Sequence, residues 1–198
     1  MTFDQLIPVA LFVIAMVGTP GPNNLMLLTA GANFGFRRSL PHILGITMGC
    51  QVLLLAIALG LGQMFSAWPL SIVLLKLGGG GFLVWMAVQL LRPRAAALGE
   101  GAEARPLSFL QAALFQWVNP KAWLMLITGL ATYVNPQQML VSTLLIGVTF
   151  ALVGLPLTCL WNVGGVALKD WLQHGRRLLH FNRLMAVLLL VSLLPLLR

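Results

Sequence analysis

Charged residues divide the chain into long apolar runs. None occurs from Gln5 to Phe36, and Arg37 and Arg38 end that run. None occurs from Ser39 to Leu75, where Lys76 interrupts. Arg92 to Arg105 is a charged, Ala/Gly-rich stretch, and Pro106 to Leu168 then holds Lys121 alone. Lys169 to Arg183 is a second basic patch, and Leu184 to Leu197 is apolar. Helices that face lipid are apolar all round, so period 3.6 does not mark them. Length, charge and turn residues do, with turns at Trp68-Pro69 and Tyr133-Val134-Asn135-Pro136. These signals predict six helices, at about 6–32, 43–65, 69–91, 108–132, 138–164 and 178–197. A bilayer span needs about 20 apolar residues. Its backbone must satisfy itself internally, and barrel strands would alternate. The expected fold is therefore an all-α integral membrane protein, one transmembrane domain over 1–198.

Composition agrees. Of 198 residues, 59% are hydrophobic and 8% charged, against about 25% charged in a soluble domain. Mean hydropathy is +0.93. These values exclude a soluble globular domain, a disordered chain and a nucleic-acid binder. The net charge of +8 sits in short clusters between apolar runs, which is how a membrane protein is oriented. Arg37 and Arg38; Arg92, Arg94 and Arg105; and Lys169, Arg176, Arg177 and Arg183 fall in alternate loops, against Arg198 alone on the other side. The first group is expected to be cytoplasmic, with both termini periplasmic. The opening residues MTFDQLIP lack the basic segment of a cleaved signal. The first run thus reads as a permanent span. Cys50 and Cys159 read as small buried hydrophobes. The patch around Trp171 reads as an orientation signal that could lie as an interfacial helix.

The chain also reads as two halves: repeat 1 over about 1–91, a cytoplasmic loop over about 92–107, and repeat 2 over about 108–198. Leu25-Met26-Leu27-Leu28-Thr29 recurs as Leu124-Met125-Leu126-Ile127-Thr128. Each copy follows a proline interruption, Thr19 to Asn24 in one half and Asn119-Pro120-Lys121 in the other. Three spans per half invert the second unit. Inverted repeats with helices 1 and 4 broken at matching positions point to a transporter's midplane site.

Candidate site residues follow from those breaks. Pro20, Gly21 and Pro22 cannot continue a helix. The helix restarts at Asn23 and Asn24, whose free N–H groups suit a carboxylate. Lys121 follows the second break. A charge near the bilayer centre costs about 2.5–3.5 kcal/mol on insertion scales, so it must face a cavity or partner. Gln116, Asn119 and Pro120 lie within a turn of it, and Gln51 needs a hydrogen-bond partner. Lys76 is expected to reach the interface, and His42 to cap the cytoplasmic boundary. Gly31/Gly35, Gly45/Gly49 and Gly78–Gly81 have the spacing of close helix contacts. The acids Asp4, Glu100, Glu103 and Asp170 all lie outside the spans or at their edges. A carboxylate proton relay and a counter-charge for a cationic substrate are therefore missing. No catalytic constellation, cofactor motif or metal-ligand cluster stands out.

Thr19-Pro20-Gly21-Pro22-Asn23-Asn24, then Gly31, Gly35-Phe36-Arg37, Gly45 and Gly49, resembles the N-terminal signature of the LysE/RhtB amino-acid exporter family. Pro106 to Phe109, followed by Phe115-Gln116-Trp117-Val118-Asn119-Pro120-Lys121-Ala122, resembles its second signature. The resemblance covers the whole chain and is nearest to the branch exporting cysteine and O-acetylserine. It implies a non-enzymatic bacterial inner-membrane exporter of a small neutral amino acid or derivative. Its partners would be that substrate and the lipid bilayer, with homo-oligomerisation left open. Basic amino-acid exporters of the family carry an acid in the second span. Met48-Gly49-Cys50-Gln51-Val52 stands there instead, which argues against lysine or arginine. The rival readings are a divalent-metal exporter, which needs Cys, His or acid ligands within the spans, and a non-transporting scaffold, which needs no polar cavity.

Overall fold

The computed structural model describes residues 3–91 and 105–194. Arg92, Arg94, Glu100, Glu103 and Arg198 lie outside the described residues. The described residues form helices and turns, without strands. Helix α1 spans Phe3–Gly18, α2 Pro22–Phe34, α3 Phe36–Ala58, α4 Met64–Ala67 and α5 Leu70–Leu91. Helix α6 spans Phe109–Val118, α7 Pro120–Tyr133, α8 Met139–Leu172 and α9 Arg177–Val191.

Both expected breaks are present. Helices α1 and α2 meet at 62°, and Asn119 separates α6 from α7. Each restart places proline at the first turn, Pro22 in α2 and Pro120 in α7, where its missing N–H has no helical acceptor to lose. Helix α6 opens on a capping box. Ser108 Oγ accepts from Gln111 N at 3.2 Å, and Gln111 Oε1 accepts from Ser108 N at 3.0 Å.

Three boundaries differ from expectation. The loop expected to carry Arg37 and Arg38 is reduced to Gly35, whose φ of +83° turns the chain in one residue. Both arginines therefore lie in the first turn of α3. That helix ends at Ala58 rather than near 65, because Gly60 adopts a φ of +104° and Leu61–Gln63 form a 3-10 turn. Helix α8 runs on to Leu172 rather than 164, so Lys169, Asp170 and Trp171 extend a span instead of forming a separate interfacial helix. Nothing breaks α8 at Gly164-Gly165, because that pair lies against α2. The chain turns only at Gly175, with φ of +60°.

Helices Phe36–Ala58, Leu70–Leu91 and the continuous segment Pro136–Leu172 are each long and apolar enough to cross a bilayer, and the bent α1–α2 pair forms a fourth candidate span. Helices α6, α7 and α9 have 10, 14 and 15 residues. At 1.5 Å per residue each alone falls short of the roughly 30 Å hydrocarbon core. Large apolar side chains face outward, with Leu59 89%, Leu152 70% and Leu110 63% exposed. A surface of this kind suits lipid and would aggregate in water.

The broken pair α1–α2 packs along α8, while α6, with a smaller share from α7, packs along α3; α5 pairs with α9. Glycines permit the closest approaches. A Cβ on Gly31 would meet the Asn162 carbonyl, and one on Gly165 the Leu28 carbonyl. Gly45 faces the Phe109 carbonyl, and a Cβ on Gly49 would lie 2.7 Å from the Ala113 backbone. Gly79 lies against the Val118 carbonyl, whereas Gly81 meets nothing within 4 Å. Only part of the four-glycine run is therefore a packing face.

The core is split. One apolar cluster joins Val9 and Val13, Leu53, Leu54 and Ile57, Trp123 and Leu126, and Ile146 and Phe150. The other joins Leu25 to Leu27, Ile43 and Ile46, Leu83, Phe115, and Met185 and Leu189. Helix α3 contributes to both. Its Cys50 and Gln51 fall between the two contributions, at the level of the breaks.

Candidate functional site

The structure brings the two breaks together. Lys121 Nζ donates to the Thr19 carbonyl at 2.8 Å, to Thr19 Oγ1 at 3.0 Å and to the Pro20 carbonyl at 3.3 Å. Asn24 Nδ2 donates to the Val17 and Thr19 carbonyls at 2.7 and 2.8 Å. The carbonyls released where α1 stops are thus taken by the helix that restarts and by the opposite half of the chain. In a membrane they have no water to turn to. Lys121 reaches them across Gly21, where a Cβ would lie 2.9 Å from Lys121 Cδ. Gly21 itself is extended (φ −175°), so proximity, not backbone strain, is what favours glycine there.

A second connection uses amides. Asn23 Nδ2 donates to Gln116 Oε1 at 2.9 Å, and Gln116 Nε2 donates back to Asn23 Oδ1 at 3.2 Å. Gln116 Nε2 also bonds the Ala112 carbonyl at 2.9 Å. Cys50 Sγ and Asn119 Nδ2 approach Gln116 Oε1 at 3.6 and 3.5 Å. Gln116 and Asn119 are almost fully buried, so these bonds satisfy groups that would otherwise be costly to bury. Asn119 Oδ1 also accepts from Lys121 N at 3.2 Å, capping α7. The α2 N-terminus has no side-chain cap. Of the two restarted helices, only α2 leaves its end uncapped.

A cavity of about 60 Å³ lies at this junction, lined by Gly21, Asn23, Asn24, Gln51, Asn119 and Lys121 together with Thr47, Cys50 and Thr158. At about 30 Å³ per water it holds roughly two water molecules, less than an amino acid needs. No acidic residue lines it. Gln51 has no hydrogen-bond partner among the described residues. Its Oε1 lies 2.9 Å from where a Cβ on Gly147 would sit. Pro20, Pro22 and Pro120 shape the breaks and do not line the cavity.

The Lys121 ammonium turns to Thr19 and Pro20, while Asn119 shares its surroundings through the backbone N–H of Lys121. One expectation changes. His42 does not cap a boundary. It is 1% exposed, inside α3, with neither ring nitrogen hydrogen-bonded. Sequence reading missed Thr19, whose signal was its place directly before Pro20-Gly21-Pro22. It also missed Cys50 as a cavity residue; its neighbour Gln51 was the clue. Thr158, mid-helix and two residues after Pro156, carried no clear signal.

Known proteins resemble this chain in sequence. Residues 14–196 match the LysE type translocator family. A cysteine/O-acetylserine efflux protein of Escherichia coli O139:H28 is 31% identical over 177 residues, 87% of each chain. The proteins of that name in Escherichia coli K12 and Shigella flexneri are each 31% identical over 176 residues, 86% of each chain. No solved structure gives a significant match. Apolar helices long enough to span a bilayer, breaks that meet at a mainly apolar cavity carrying a few polar side chains, and a family match over nearly the whole sequence lead to one conclusion: the chain belongs to the LysE type translocator family of multi-pass membrane transport proteins.

Proposed function

We propose that this protein exports a small neutral amino acid or derivative, of the cysteine/O-acetylserine or homoserine/threonine kind, across the bacterial inner membrane. The observation that carries the reading is the meeting of both helix breaks at a cavity with one cation and no acid. The relatives named cysteine/O-acetylserine efflux proteins support the substrate class.

In this reading the substrate carboxylate takes up Lys121 and the uncapped α2 N-terminus. Of the three Lys121 bonds, the 3.3 Å contact to Pro20 is the longest and the first to be exchanged. Asn23, Asn24, Gln51, Gln116 and Asn119 supply polar contacts, and Pro20, Gly21, Pro22 and Pro120 hold the breaks open. A cavity of about 60 Å³ must widen to accept the substrate. Separation of the Lys121–Thr19 contact would accompany that step.

The chain acts as six spans, with α6–α7 together forming the fourth and α9 the sixth. Repeats 1–91 and 108–198 are related by inversion. The reciprocal packing of α1–α2 on α8 and of α6, with part of α7, on α3 supports this. Rocking of one unit against the other alternates access. Both termini face the periplasm, in keeping with basic residues at the opposite end.

Efflux from proteoliposomes loaded with a labelled panel tests the reading. Cysteine, O-acetylserine, homoserine and threonine should leave; lysine and arginine should not. Equal export of lysine, or no export of any amino acid, would overturn it.

A further inference from the structure

The cavity at the breaks is lined by one cation, Lys121, and by no acid. The positive end of a zwitterion there has only neutral oxygens to meet. Three lining residues, each on a different helix, offer such an oxygen: Asn24 on α2, Thr47 on α3 and Thr158 on α8.

Asn24 is the unusual member. Its Nδ2 carries two protons, and both are used, on the Val17 and Thr19 carbonyls at 2.7 and 2.8 Å. Carbonyls only accept, so the amide cannot be turned round, and Oδ1 is fixed as its free end. Asn24 is 4% exposed, yet Oδ1 receives no hydrogen bond among the described residues. The sealed atoms without partners are the His42 ring nitrogens, Thr143 Oγ1 and Asn162 Oδ1. Asn24 Oδ1 is not one of them, and the open space that Asn24 borders is this cavity. Buried polar atoms are rarely left unpaired, so this oxygen calls for a donor from the cavity.

The two hydroxyls have spent their protons as well. Thr47 Oγ1 donates to the Ile43 carbonyl at 3.2 Å, and Thr158 Oγ1 to the Leu155 carbonyl at 2.8 Å. Such back-bonding is ordinary for threonine in a helix. Its consequence here is that both oxygens keep only lone pairs. A primary ammonium, with three N–H donors and no acceptor, suits oxygens of this kind. The cavity of about 60 Å³, room for roughly two waters, accommodates that group before it widens for the rest of the substrate.

We infer that Asn24 Oδ1, Thr47 Oγ1 and Thr158 Oγ1 form the seat of the substrate's α-ammonium. The inference rests on the exporter reading and fixes which way round the substrate lies, carboxylate on Lys121 and ammonium on the three oxygens. The two ends are linked. The Thr19 carbonyl accepts from Lys121 Nζ and from Asn24 Nδ2, each at 2.8 Å. When the carboxylate draws Lys121 away, Asn24 still holds that carbonyl and its Oδ1 stays aimed. A free α-amino group thus becomes a condition of binding.

Displacement of radiolabelled L-cysteine, under reducing conditions, from the full-length protein in lipid nanodiscs tests this. The comparison ligand is 3-mercaptopropionate, which keeps the carboxylate and thiol and lacks the amino group. Wild type should bind L-cysteine at least about tenfold more tightly, the worth of one hydrogen bond to a charged group. Thr47→Val and Thr158→Val should each weaken L-cysteine by about tenfold and leave 3-mercaptopropionate unchanged. Thr158→Ser should restore L-cysteine. Lys121→Met should weaken both ligands, because both carry the carboxylate. Damage to folding also weakens both, so the ratio of the two affinities reads the seat alone. If the chain binds homoserine rather than cysteine, 4-hydroxybutyrate takes the place of 3-mercaptopropionate. Equal affinities in wild type, or a ratio unchanged in both valine variants, would overturn the seat and leave the exporter reading standing. No binding of cysteine, O-acetylserine, homoserine or threonine would overturn both.

Discussion

Lys121 Nζ lies 2.8 Å from the carbonyl oxygen of Thr19, 102 positions earlier in the chain. The contact joins the two helix breaks and satisfies a carbonyl that α1 cannot use. Replacing Lys121 removes both the cation proposed for the substrate carboxylate and the bridge between halves. Lys121→Met should lower export by about tenfold or more, equivalent to at least 1.36 kcal/mol of barrier, while membrane insertion persists. Lys121→Arg should do nearly as badly, because a planar fork does not replace a compact ammonium on a carbonyl and a hydroxyl. Initial efflux rates, normalised to protein amount, check both.

Gly21 tests the same bridge without removing the charge. A Cβ there would lie 2.9–3.0 Å from Lys121 Cδ and Nζ. These atoms belong to a flexible side chain, so Gly21→Ala should cost little stability and displace the ammonium. Export should fall while the melting temperature in detergent stays near wild type. Unchanged export would mean that the position of Lys121 is not critical.

The Asn23–Gln116 pair should behave as a coupled unit. Gln116→Leu strands a buried amide partner, which costs about 1–3 kcal/mol. Asn23→Leu strands the other side. Interacting pairs show coupling of about 0.5–3 kcal/mol in a double-mutant cycle. Reversible unfolding in detergent would measure it, and additive losses would show that the two amides are energetically independent.

Glycines at helix crossings should separate from glycines that merely share the pattern. Gly31→Ala and Gly45→Ala drive a Cβ into the Asn162 and Phe109 carbonyls, and Gly165→Ala into that of Leu28. Backbone cannot yield as a side chain can, so folded yield should drop sharply. Gly81→Ala meets nothing within 4 Å and should be neutral or slightly stabilising, since alanine favours the helix by about 1 kcal/mol. Fluorescence-detected gel filtration of detergent extracts distinguishes them.

Orientation has its own test. Single cysteines near residues 38, 100 and 175 should resist impermeant thiol reagents in intact cells and react after permeabilisation. One beside residue 135 should react from outside. Labelling of the residue-100 position in intact cells would reverse the assignment.

The apolar runs and their charge boundaries determined that this chain is helical and membrane-embedded, because a backbone in lipid has so few ways to satisfy itself. Pro20, Gly21, Pro22 and Pro120 marked both breaks, since each restarted helix carries proline in its first turn, whereas Pro8, Pro41 and Pro156 stand inside unbroken helices. These are local constraints, legible without partners. Boundaries set by partners were not. Gly35 proved to be a one-residue turn, and α8 ran past Gly164-Gly165 because α2 packs there. The site divided the same way. That Asn23, Gln51, Gln116 and Lys121 were unusual polar groups in apolar runs was plain from composition. That Lys121 reaches Thr19, that Gln116 pairs with Asn23, and that His42 is buried without a partner depended on helices far apart in sequence. Hydrogen bonds form between whichever groups packing brings within about 3 Å, and only the tertiary structure decides which groups those are.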